Sequence, residues 1–197
     1  RHTRFRNVTG VQTCALPILY LFDPFNSPEF RKALRDTKDP QLEKPVVDQQ
    51  DIILAEMRAR IQNIRNLRPG ESIGTPVAFI VGKCDAWNHL LTGKMLNNPI
   101  NNRQINRGII EENSQIVKDL MYRICPGVVA NAEALSQNVK FFAASAFGHT
   151  PTKIRQGEYV PDPARLEPLF VEAPVLWILS QICPALFADA RVGVEGK

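Results

Sequence analysis

The sequence predicts an α/β domain whose sheet is largely parallel and flanked by helices, and three observations carry that expectation. Three apolar runs, LYLFD (19–23), PVAFIVG (76–82) and VKFFAAS (139–145), have the length and continuity of strands buried on both faces. Each runs directly into polar residues, as strands do when they deliver side chains to the carboxyl edge of an open sheet. Between the runs lie segments with helical period and helical stop signals, so the order is strand, helices, strand, helices, strand, helix.

The elements follow in turn. After the first run, PFNSP makes a turn, and Ser27, Pro28 and Glu29 supply an N-cap, a first-turn proline and an acidic first turn for a helix ending near Leu34. The segment DTKDPQLEKPVVDQQ (36–50) is polar and broken by prolines, and it reads as loop. From Asp51 a helix runs to the stop at Pro69 and Gly70. Its stripe of Ile53, Met57, Ile61, Ile64 and Leu67 is expected to be core, and Arg58, Arg60 and Arg65 a solvated face from which one arginine could reach a partner. Beyond the second strand, an asparagine-rich loop (97–106) leads to helices over 109–124 and 128–135, separated by Pro126. The loop 148–165 follows the third strand, and a last apolar helix spans 174–183, with Trp177 filling its contact with the sheet. Trp87 and His89 read as a helix start packing on the sheet. His149 reads as a loop residue with no acid or nucleophile placed to complete a triad.

The first eighteen residues stand apart. VTGVQTCALPI (8–18) follows neither a two-residue nor a 3.6-residue period, and Pro17 would interrupt a strand. Back-translated, it can be spelled as a common short-read sequencing adapter, and Arg1 to Arg4 can be spelled as the upstream arm of the same adapter. Residues 1–18 are therefore read as translated adapter, outside the fold, in the way an expression tag would be.

Setting them aside changes the charge argument. The segment contains three arginines and no acid, so the 24 basic residues fall to 21 against 20 acidic ones, and the net charge falls from +4 to +1. The basic balance then gives no case for a nucleic-acid or anionic-membrane partner. Cys84, Cys125 and Cys183 remain, an odd number without a CxxC pair or histidines at ligand spacing, and they read as three reduced thiols. The remaining 179 residues suffice for one domain, and the longest apolar run, APVLWILSQICPALF, is too short and too interrupted by Pro184 to span a bilayer.

The chemistry is expected at the three strand ends: Asp23 in FDPFN, Lys83 and Asp85 in VGKCDAW, and Ser145 with Ala146 in AASAFG. In this order they resemble the later motifs of a P-loop GTPase. The surrounding text, LYLFDPFNSPEFRKAL, VVDQQDIILAEMRARI, VAFIVGKCDAWNHLL, FFAASAFG and EAPVLWILSQ, resembles bacterial GTPase-like proteins of the double-GTPase type over nearly all of residues 19–195. The resemblance implies a P-loop sandwich, GTP or GDP with Mg²⁺ as ligands, protein partners of a nucleotide switch and a cytoplasmic bacterial setting. Asp23 would hold Mg²⁺, commonly through water, because that ion keeps much of its hydration shell. The carboxylate of Asp85 would accept both guanine donors, the ring N–H and the exocyclic amine, as a bidentate pair. The stem of Lys83 would lie along base and ribose, and the backbone N–H of Ala146, supported by Ser145, would meet the guanine carbonyl.

Departures from the pattern are as informative. Asn26 stands where the glycine of Asp-x-x-Gly is usual, and Gly82 where the base motif has Asn or Thr. No G-x-x-x-x-G-K-[ST] string occurs in the 197 residues, so the phosphate cradle that such a loop provides is not encoded in them. The expectation is thus an incomplete P-loop sandwich, the C-terminal part of a GTPase-like domain starting at Leu19, lacking the first strands and the phosphate loop and not catalytic as it stands. A degenerate, nucleotide-independent interaction module is the alternative, with Gly82 and Asn26 in its favour. A third possibility is an ATP-using P-loop enzyme.

Overall fold

Three parallel strands, β1 (Ile18–Phe22), β2 (Val77–Val81) and β5 (Val139–Ala143), form the central sheet in the order β1-β2-β5. The computed structural model describes residues 16–37, 39–46, 49–101, 104–153 and 158–187. Most of the adapter-like segment, residues 1–15, lies outside that set. β1 begins one residue inside the segment: the backbone N–H of Ile18 donates to the Pro76 carbonyl at 3.0 Å. This pairing uses main chain only, so it is indifferent to the origin of the side chain.

The register is flush. Ile18, Val77 and Val139 start level, and Phe22, Val81 and Ala143 end level. In a parallel sheet such partners share a face. One face therefore carries Tyr20, Phe22, Phe79, Val81 and Phe141, with ring centroids 5.1 Å apart for both Tyr20–Phe79 and Phe79–Phe141. It is covered by α1 (Pro28–Leu34), α2 (Gln50–Ile64), α3 (Cys84–Trp87), α4 (Arg107–Ile124) and α5 (Pro126–Leu135), whose Phe30, Leu54, Trp87, Val117, Met121 and Val129 close the main core. The opposite face carries Ala78 and Phe142, on which α6 (Ala173–Ile182) lays Trp177 and Ile178. As the sequence predicts, Trp177 fills that contact, 5.6 Å from the Phe142 ring. On the same face β1 turns Leu19 and Leu21 outward, and Leu21 is 66% exposed.

Helix starts follow local chemistry. The Ser27 hydroxyl accepts from the Phe30 N–H, and Asn106 caps α4 by accepting from the Ile109 N–H. Three expectations need correction. The stripe of α2 does not face the core as read: Leu54 is its buried residue, Met57 and Ile61 are half-buried, and Ile53 and Ile64 are exposed, Ile64 at 78%. Ile52, Ile53 and Leu54 are consecutive apolar residues, so period alone leaves the inward face open, and packing against α5 selects it. The arginines of α2 are not uniformly solvated: Arg60 reaches Glu56 at 3.8 Å, but Arg58 is half-buried and its Nε is buried without a partner among the described residues. Two loops contain short antiparallel pairs, β3 (Ile100–Asn101) with β4 (Gln104–Ile105), and β6 (Thr152–Lys153) with β7 (Tyr159–Val160). No helix among the described residues is long and apolar enough to cross a membrane.

Candidate functional site

The flush strand ends place three loops at one level of the sheet. Pairing continues a residue into each: the Gly82 N–H donates to Phe22 O (2.9 Å), Ala144 N–H to Val81 O (3.1 Å) and Cys84 N–H to Ala144 O (3.0 Å). A cleft of about 350 Å³ opens there, and Asp23, Lys83, Asp85, Ser145 and Ala146 all line it. The five residues singled out from sequence thus share one cavity at the carboxyl edge of a parallel sheet, where open α/β folds bind ligands.

Asp23 is held at three points. Its Oδ1 accepts from the Phe25 N–H at 3.0 Å, capping a 3-10 turn over Pro24–Asn26. Its Oδ2 takes the Lys83 ammonium at 2.9 Å, and its backbone N–H donates to Gln50 Oε1 at 2.9 Å. The Lys83 Nζ also lies 4.4 Å from the centroid of the buried Phe25 ring, a cation–π contact. Lys83 has left-handed backbone, φ 56° and ψ 42°, which turns the chain out of β2 and into α3. This conformation is held from behind: the indole N–H of Trp87, a fully buried residue, donates to the Gly82 carbonyl at 2.8 Å. Trp87 is therefore structural, as expected from sequence, and His89 is exposed.

Asp85 stands differently. Among the described residues its carboxylate receives no hydrogen bond or ion pair, and it faces the cleft. Burial among apolar groups, with the charge of Asp85 next to it, pushes the neighbouring Cys84 thiol up to about 12, so that sulfur stays protonated and inert. On the third loop the buried Ser145 pairs with Leu169 in both directions, at 3.0 and 2.8 Å, and its hydroxyl accepts from the Gly148 N–H at 2.9 Å. That leaves the Ser145 side chain as a loop fastener. The backbone N–H of Ala146 has no acceptor among the described residues.

Sequence reasoning missed much of the cleft wall. Leu21, Ile80, Phe147, Val171 and Pro174 make it largely apolar, and Gln41 reaches it from the loop after α1. His149 also lines it and is buried, with Nδ1 3.1 Å from Thr150 O and Nε2 3.3 Å from Asp162 O. Both ring nitrogens face carbonyls, and neither is paired with an acid or a nucleophile among the described residues. The Gly-His pair after AASAF was the only signal for this residue, and Gln50 had none.

Asp23, where Mg²⁺ was expected, has its Oδ1 on the Phe25 N–H and its Oδ2 on the Lys83 ammonium, and among the described residues no three His, Cys, Asp or Glu side chains gather where a metal could sit. The cleft is thus a largely apolar slot that both Asp85 and Ala146 line, with one carboxylate and one N–H that have no partner among the described residues. No protein-family model, curated protein or solved structure matches the chain.

Proposed function

We propose that the cleft is the base-binding part of a guanine-nucleotide site of P-loop GTPase type. The observation that supports this best is a largely apolar cleft lined by both Asp85 and Ala146, of which the Asp85 carboxylate and the Ala146 N–H have no partner among the described residues. Asp85 would accept the guanine ring N–H and exocyclic amine, Ala146 would donate to its carbonyl, and the Lys83 stem would lie along the ring. GTP or GDP, with Mg²⁺ carried on the phosphates, is the ligand class, in a switch protein acting on protein partners in a bacterial cytoplasm. The 197 residues contain no G-x-x-x-x-G-K-[ST] string, so base contacts set the affinity, at dissociation constants on the order of millimolar.

Ligand-observed NMR on the 197-residue chain tests the reading with guanosine, inosine and adenosine. Guanosine should bind. Inosine lacks the exocyclic amine and should bind roughly ten- to a hundredfold more weakly, since a hydrogen bond to a charged group contributes about 1.5–3 kcal/mol. Equal saturation transfer to guanosine and adenosine, or undiminished guanosine binding in Asp85→Ala, would sink the proposal; unchanged base preference in that variant is the outcome the ATP reading predicts. A second reading, a nucleotide-independent interaction module, is favoured by the exposed Leu19 and Leu21 on the open face of β1. It predicts no nucleoside response at all.

A further inference from the structure

We infer that the free edge of β1 is a self-association surface, on which a second copy of this chain pairs antiparallel about a two-fold axis at Tyr20. The ladder to β2 fixes which main-chain groups are free. The Ile18 N–H donates to Pro76 O and Phe22 O accepts from the Gly82 N–H, so the main chain of Ile18, Tyr20 and Phe22 faces β2. Leu19 and Leu21 therefore turn their N–H groups and carbonyls outward, and among the described residues none of these has a partner. The free set is bounded at both ends: the next outward donor, the Asp23 N–H, is taken by Gln50 Oε1, and Pro17 has no N–H to give. At the other edge of the sheet the outward N–H of Phe141 in β5 is covered, donating to the Ser114 hydroxyl of α4 at 2.9 Å. The β1 edge has no such cover, and Ile18–Phe22 contains no charge, proline or bulge to deter pairing.

A second copy satisfies this set completely. Two-fold pairing at Tyr20 sets Leu19 of each copy opposite Leu21 of the other, both as hydrogen-bonded pairs, and the resulting bonds use every free N–H and carbonyl of the two edges. Asp23 falls opposite Pro17, where neither copy has a donor left, so the ladder stops where the free groups stop. On the open face the same rotation lays the exposed leucines of the two copies against each other. On the covered face it brings α2 toward its counterpart. That helix begins over β1, where the Gln50 carbonyl accepts from the Tyr20 hydroxyl, and packs on α5; Ile53 and Ile64, about three turns apart on one line, are left exposed along it. A short strand and one helix flank make a small interface, so the dimer is weak, with a dissociation constant on the order of 10–100 μM.

Sedimentation velocity on the 197-residue chain, from about 2 to 500 μM, should show a reversible monomer–dimer equilibrium. Leu21→Lys, at an exposed position, should weaken it at least about tenfold, and Met95→Lys, exposed beside α4, should leave it unchanged. Solvent exchange of backbone amides, followed by NMR on the wild type, reads the register: Leu19 and Leu21 should slow about threefold or more from the dilute to the concentrated sample, and Tyr20, already bonded to β2, should change less. A chain that stays monomeric throughout overturns the inference, since the edge would then await some other occupant or none. A dimer in which exchange at Leu19 and Leu21 does not depend on concentration, or which Leu21→Lys does not weaken, overturns it because another face would be responsible. Open-ended growth beyond the dimer overturns the two-fold pairing. No nucleotide enters these measurements, so a failure of guanosine to bind leaves every outcome readable.

Discussion

Replacing Trp87 by Phe should destabilise the protein by about 2–3 kcal/mol and loosen the site loop in the same step. The indole is fully buried and touches the Phe30 ring edge-on at 6.5 Å, while its N–H is bound to the Gly82 carbonyl at 2.8 Å. Deleting that donor forfeits a net contribution of about 1 kcal/mol, and more if the carbonyl is left without water. Trimming two fused rings to one removes roughly 40 Å³, which at ~24 cal/mol per Å³ of residual cavity adds about 1 kcal/mol. For a chain of this size the sum corresponds to a melting temperature lower by roughly 5–10 °C. Urea unfolding followed by circular dichroism measures it directly, with the slope expected to stay at its wild-type value. Hydrogen exchange at the Cys84 amide, bound to Ala144 O, should accelerate more than exchange in β5. A loss below about 0.5 kcal/mol, or unchanged exchange at Cys84, would refute the claim that this indole holds the left-handed turn at Lys83.

Other substitutions discriminate among the contacts described. Gly148→Ala should cost well over 2 kcal/mol in chemical unfolding, because the position has φ +71° and an added Cβ would lie 1.9 Å from the Glu167 carbonyl oxygen, forcing the Ser145–Leu169 bridge apart. Gly82→Asn should by contrast change stability by less than about 0.5 kcal/mol, since a Cβ there meets nothing nearer than 3.5 Å and φ is ordinary. Ala78→Leu should destabilise by about 1–3 kcal/mol in the same assay by overpacking the seat of Trp177 and Ile178. Iodoacetamide at pH 8 should label the exposed Cys183 quickly and the buried Cys84 and Cys125 only as fast as the protein unfolds, which quantitative mass spectrometry resolves. Burial also raises Cys125 to about 11 and Tyr20 to about 12, so with Cys84 the folded state retains protons that the unfolded chain releases. Stability is then complete below about pH 9 and falls as pH rises toward 11–12, and the urea midpoint should drop over that range, less so in Cys84→Ala.

What could be read from sequence was whatever depends on local chemistry. The three strands appear within two residues of their expected limits because an uninterrupted apolar run followed by a polar turn has few other solutions. Ser27 and Pro28 start α1 because an N-cap and a first-turn proline act within three residues. The five site residues meet because parallel strands deliver their carboxyl ends to one edge. Three things were hidden because they are decided by distant partners. The inward face of α2 depends on α5, which chooses Leu54 over Ile53. The attachment of Lys83 to Asp23 joins positions sixty residues apart, and nothing in either motif announces it. His149 becomes a wall of the cleft only because the loop bearing Asp162 folds back over it.

The level alignment of Phe22, Val81 and Ala143 makes the cleft a property of strand length as well as of side chains. Inserting or deleting one residue inside β2 would rotate Lys83 and Asp85 through the sheet and shift them about 3.3 Å along it, while leaving composition and hydrophobicity almost unchanged. The same insertion in the exposed turn at 68–71 would be absorbed, because pairing with the third strand's chain begins only at Ile73, which bridges Ser136. Tolerance to insertion should therefore change abruptly between residues 71 and 73, a boundary that an indel scan would locate with no ligand at all.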